Sequence, residues 1–94
     1  MASLGEFRPN VPASLERFGF NGRRVRVHAV EKETNPRFWR LLQKFGERKE
    51  APVLLNTSFN LFGEPLVCDP REAIRSFYCA GVDAMVMGDF LIVK

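Results

Sequence analysis

The chain has 94 residues, enough for one small domain or for part of a larger one. An apolar share of 46% with nine phenylalanines excludes a disordered composition. A formal net charge of +3 favours a small anionic ligand and is too low to call for nucleic acid.

Residues 1–22 show neither a helix nor a strand period and are punctuated by Pro9 and Pro12, which predicts a loosely ordered N-terminal arm. Glu6 and Arg8 stand where a secretory signal would carry its apolar core. No stretch approaches the roughly 20 apolar residues of a membrane span, so the expected location is the cytoplasm.

The folded domain is expected over residues 23–94. Val25, Val27 and Ala29 alternate with Arg24, Arg26 and His28, the period of a half-buried strand. Thr34-Asn35-Pro36 marks a helix start, with Asn35 as cap and Pro36 at the first position. Phe38, Leu41, Leu42 and Phe45 then follow at i, i+3, i+4 and i+7 and make one apolar face. Trp39 and the phenylalanines read as core rather than as a platform for bases. Gly46, or the charged run to Glu50, is expected to end this helix.

Pro52-Val53-Leu54-Leu55 suits a short strand covered on both faces, and Leu66-Val67-Cys68 a second short strand or turn. Asp69-Pro70-Arg71-Glu72 is a capping-box arrangement opening a helix with Ala73, Ile74, Phe77 and Ala80 on its apolar face. Gly81 stops it, and Arg71 and Arg75 read as solvated helix charges. Ala84-Met85-Val86-Met87 and Phe90-Leu91-Ile92-Val93 are two closing strands around Gly88-Asp89. This order predicts an α/β fold, a small mixed sheet packed with two helices.

Cys68 and Cys79 have no Cys-x-x-Cys spacing and His28 is the only histidine, so no metal is expected to be bound by this chain. His28 has no carboxylate partner at a defined spacing, and no catalytic residue is assigned. The segment that leaves Leu55 is the place for a ligand, because open α/β sheets bind ligands beyond the carboxyl ends of their strands. Asn56, Thr57, Ser58 and Asn60 offer donors and acceptors without charge, and Gly63 permits backbone approach or a positive φ. On composition alone the segment fits an ordinary turn as well as a site for phosphate, ribose or carbamoyl groups.

Thr57-Ser58-x-Asn60-x-x-Gly63-Glu64-Pro65 resembles the Thr-Ser-Ala-Asn-x-x-Gly signature of YrdC-like domains, which make carbamoyl adenylates from ATP. Three blocks look more specifically like the C-terminal domain of the nodulation and antibiotic O-carbamoyltransferases. These are Glu33-Thr34-Asn35-Pro36-Arg37-Phe38, the run from Pro52 to Asn60, and Gly63-Glu64-Pro65-Leu66-Val67-Cys68. Gly81-Val82-Asp83-Ala84 and Gly88-Asp89-Phe90-Leu91 continue the likeness, which covers about residues 23–94. Phe7-Arg8-Pro9, outside that span, bears a faint likeness to a Phe-Arg-Pro segment of the family.

The resemblance implies the C-terminal half of a YrdC-like domain, with ATP as a substrate alongside carbamoyl phosphate. It implies that Arg26 meets phosphate, that Asn56 meets phosphate or the carbamoyl group, and that Ser58 and Asn60 contact the nucleotide phosphates, with Thr57 and Gly63 in the same turn. The family's transferase domain and the first half of the YrdC-like domain have no counterpart in these 94 residues. The chain is therefore expected to be inactive alone and to need a transferase domain or a second copy. The alternative is a non-catalytic interaction module that self-associates or pairs with a partner subunit.

Overall fold

The computed structural model describes residues 2–20 and 22–94, so Met1 and Asn21 lie outside the described residues. The chain divides into two compact units, residues 1–54 and 55–94.

In the first unit, strand β1 (Ala2–Glu6) pairs antiparallel with β2 (Arg24–His28). Ala2 lies opposite His28, Leu4 opposite Arg26 and Glu6 opposite Arg24. The short helix α1 (Ala13–Glu16) lies between them in the chain. The N-terminal segment thus carries a strand paired with β2 and one short helix. Its residues have little strand propensity of their own, and the ladder from β2 overrides that. Arg23 ties the segment down: its guanidinium pairs with Glu16 and donates to the Arg8 carbonyl at 2.6 Å. The Arg23 carbonyl in turn accepts from the Phe7 N–H at 2.8 Å.

Helix α2 (Pro36–Arg48) begins as the sequence predicts, with the Asn35 side chain accepting from the Phe38 N–H at 3.3 Å and Pro36 in the first turn. Of the two expected stops, it passes Gly46 and ends in the charged run, at Arg48. A Cβ on Gly46 would lie 2.9 Å from the Pro52 Cβ and 3.0 Å from its nitrogen, so the glycine admits the returning chain inside a continuing helix. The half-buried stripe is Trp39, Leu42 and Phe45, whereas Phe38 and Leu41 stay exposed. The Lys32 ammonium stands 5.2 Å from the centroid of the Trp39 ring.

No strand forms among the described residues from 49 to 69. The apolar run at 52–55 is exposed, and at 66–68 one backbone bond is made, from the Val67 N–H to the Phe59 carbonyl at 2.9 Å. A run suited to cover on both faces stays unpaired where neither covering layer is present.

The second unit is built on helix α3 (Pro70–Cys79), capped by Asp69, whose side chain accepts from the Glu72 N–H at 2.8 Å. Ala73, Ser76 and Phe77 on this helix are the buried residues among those described. The Tyr78 ring meets Phe77 edge-on at 5.2 Å, and the Lys94 ammonium stands 5.0 Å from the Phe77 centroid while donating to the Ala80 carbonyl. Strand β3 (Ala84–Met87) packs against α3 and pairs antiparallel with β4 (Phe90–Val93) through the Gly88-Asp89 turn. Met85, Met87 and Ile92 are half-buried, while Val86, Leu91 and Val93 on the opposite face are exposed. The chain thus has the α/β class expected from its element order, as helices with two small antiparallel sheets. Among the described residues no helix is long and apolar enough to cross a membrane.

Candidate functional site

The segment from Asn56 to Pro65 lies in the second unit and is shaped by its own hydrogen bonds. The Glu64 N–H donates to the Leu61 carbonyl at 3.0 Å and closes a tight turn. Gly63 takes φ of 82° in that turn, a conformation that a side chain would strain. Asn60 is half-buried, and its side-chain nitrogen donates to the Leu61 carbonyl at 3.2 Å and to the Glu64 carbonyl at 2.8 Å. Both of its amide hydrogens are thus engaged inside the turn. What Asn60 has left to offer a ligand is an oxygen acceptor. Asn56, Thr57 and Ser58 are exposed, and their side chains form no hydrogen bond among the described residues.

The turn is also held from α3. Arg75 donates from Nη2 to Glu64 Oε2 at 2.6 Å. That bond, together with the Glu64 charge, raises the already high pKa of the guanidinium. Arg75 is therefore not a free helix charge. The pair was beyond reach of sequence reasoning, because it joins residues 11 positions apart across a turn whose path no local pattern specifies. Beside it lies a cleft of about 310 Å³ lined by Glu64, Leu66, Cys68, Glu72, Arg75 and Ser76, near the low end of the roughly 300–1,000 Å³ usual for ligand pockets.

On the lining of the cleft Glu72 Oε2 accepts from the Cys68 N–H at 3.2 Å and from its thiol at 3.4 Å. The hydrogen bond to Glu72, the Glu72 charge, slight burial and the Asp69 charge all push the thiol pKa up. The thiol is held protonated, which is the reverse of a nucleophile's requirement. The ligand atoms of Cys68, Asp69 and Glu72 come within 4.8 Å of one another, close enough to surround a cation. Here the two carboxylates serve as caps of α3, one accepting from the Glu72 N–H and the other from Cys68.

Arg26 belongs to the first unit. It lies on β2 opposite Leu4, is exposed, and its guanidinium has no hydrogen bond or ion pair among the described residues. Its neighbour Arg24 is tethered to Glu6, at 3.8 Å. The residues expected from sequence therefore fall in two places: Asn56, Thr57 and Ser58 in the segment that leads into the turn with Asn60 and Gly63, and Arg26 on a strand of the other unit.

A sequence model of the family described as Carbamoyltransferase C-terminus matches residues 1–94, so the likeness takes in the N-terminal segment that the motifs left out. An uncharacterized protein of Synechocystis is 43% identical over 70 residues, which is 74% of this chain and 11% of that protein. Nodulation protein NolO of Bradyrhizobium diazoefficiens is 41% identical over 70 residues, 74% of this chain and 13% of that protein. The 3'-hydroxymethylcephem-O-carbamoyltransferase of Amycolatopsis lactamdurans is 34% identical over 65 residues, 69% of this chain and 12% of that enzyme. The match to this chain takes in only about an eighth of the length of these curated relatives, from 11% to 13%.

Proposed function

The chain belongs to the carbamoyltransferase C-terminus family, and from that membership we propose that it is the ATP- and carbamoyl phosphate-binding C-terminal part of an O-carbamoyltransferase. The observation that carries this reading is the exposed, unbonded row Asn56, Thr57 and Ser58 leading into a turn closed by its own hydrogen bonds. Hydroxyl and amide donors on an exposed segment suit phosphate oxygens and a carbamoyl carbonyl, which are acceptors. Ser58 and Thr57 donate to phosphate, and Asn56 to phosphate or to the carbamoyl group. Arg26 belongs to the first unit and is proposed separately, from the family resemblance, as a charged bidentate partner for phosphate. The product is a carbamoyl adenylate, as in the YrdC-like domains that the segment resembles. The carbamoyl transfer itself lies outside this chain, whose matches take in only 11% to 13% of three longer family members.

Amide and guanidinium shifts recorded while ATP or carbamoyl phosphate is added test this. Residues 56–63 are expected to move at millimolar ligand, and Ser58→Ala to weaken binding by about threefold to tenfold. Arg26→Met is expected to do the same in a salt-sensitive way. A flat titration at all these positions ends the binding reading.

A second reading, an interaction module that self-associates, is favoured by the outer face of the β3–β4 hairpin. Val86, Leu91 and Val93 stand there at 69%, 69% and 61% exposure. Sedimentation across a hundredfold concentration range distinguishes it: a dimer that Leu91→Lys abolishes supports it, and a monomer throughout removes it.

A further inference from the structure

We propose that Asn60, Glu64 and Arg75 form a positioning brace that sets the shape of the 56–65 turn from helix α3. In this brace Asn60 acts by holding the turn and not by touching ligand phosphates. The proposal deepens the reading of the turn as a ligand site and rests on it.

Asn60 carries two N–H donors and spends them on the Leu61 and Glu64 carbonyls, which flank Gly63 on either side. The oxygen that remains on its side chain is an acceptor, and a phosphate presents acceptors. A direct contact between them would set like partial charges against each other. Glu64 is fixed twice over, through its backbone to Leu61 and Asn60 and through its carboxylate to Arg75. Arg75 immediately precedes Ser76 and Phe77, the most deeply buried residues described. A line of fixed groups therefore runs from the buried part of α3 through Arg75 and Glu64 to Asn60. Asn56, Thr57 and Ser58 precede it directly in the chain. An exposed ion pair alone does little because water screens it and ordering two long side chains opposes it. Here the acceptor end is already immobilised by a bonded turn and the donor end grows from a packed helix, so less freedom is lost when the pair forms.

The full chain decides this by amide hydrogen exchange at Glu64 and Val67, whose N–H groups close the turn, read beside titration with ATP. Arg75→Met and Glu64→Gln should speed exchange at both amides by about threefold to tenfold and weaken ATP binding by a similar factor. Arg75→Lys should restore most of both. Asn60→Ala should produce the larger change in exchange, while exchange at the Phe77 amide stays slow in every variant. Unchanged exchange in Arg75→Met overturns the brace. Asn60→Ala that weakens ATP binding with exchange unaltered also overturns it, since Asn60 would then be a ligand contact. If the unmodified chain shows no shifts with ATP, the ligand reading fails by itself. Loss of protection with rescue by lysine then still supports the brace, and its absence still refutes it.

Discussion

Helices α2 and α3 are of similar design: each opens with an Asn or Asp cap, places proline in the first turn and carries one apolar stripe. Helix α3 holds the buried Ala73, Ser76 and Phe77, whereas α2, three residues longer, has no buried residue. An apolar stripe shows which face of a helix gains from burial. Whether that face is buried depends on what the rest of the chain brings to it. The sheet pairs follow the same rule, since β3 lies against α3 with one apolar face and leaves the other exposed.

The largest expected effect sets the two helices directly against each other. Phe77→Ala should cost about 3–5 kcal/mol and remove the cooperative unfolding of the second unit. Leu41→Ala, at a position 54% exposed, should cost no more than about 0.5–1 kcal/mol. Urea melts followed by circular dichroism compare them, and equal losses would make α2 a core helix after all.

Gly46→Ala is expected to destabilise the first unit by about 1–3 kcal/mol. The gain in helix propensity of roughly 1 kcal/mol works in the opposite direction. The clash should win because two of the nearest atoms, the nitrogen and Cα of Pro52, are backbone and cannot swing aside. A more stable variant would show that the segment at Pro52 gives way.

Removing the caps is a finer comparison. Asn35→Ala and Asp69→Ala should each cost about 1 kcal/mol, with Asp69 the costlier because its helix carries the buried residues.

The smallest effect is chemical. The Cys68 thiol has a raised pKa in the fold, so the fold favours its protonated form. The small stability this adds is present below the unfolded thiol pKa and lost as pH rises through the folded value. Glu72→Gln lowers the pKa again, and in a Cys79→Ser background iodoacetamide should modify Cys68 about two- to fivefold faster near pH 8. An unchanged rate would show that Glu72 does not set the reactivity of the thiol. Helix α2 has no acidic residue in its first turn to produce such an effect.

What could be read from the sequence was mostly local. Both caps, the start of both helices, the closing hairpin around Gly88-Asp89 and the turn at Gly63 follow from short patterns, because each depends on atoms a few residues apart. Strand β1 was hidden because Ala-Ser-Leu-Gly-Glu has no strand signature and owes its form to β2. Gly46 and the charged run after it both read as stops, and the sequence could not choose between them because the need of Gly46, room for Pro52, comes from a residue outside the helix. At the candidate site the exposed Asn56, Thr57 and Ser58 were visible as a polar run after an apolar one. The direction of the Asn60 amide and the Glu64–Arg75 pair were not, since both require the path of the chain through the turn.

The β3–β4 hairpin carries a consequence for the life of the chain in a cell. All eight residues of Ala84–Met87 and Phe90–Val93 are apolar, with no proline, lysine or acidic gatekeeper in either strand. Each strand also keeps one unpaired edge among the described residues. Uninterrupted apolar strands with open edges are templates for fibrillar stacking, and quality-control chaperones and proteases clear chains that display them. Cover over that surface, from a second copy or from another part of a longer protein, would close the edges and remove the template.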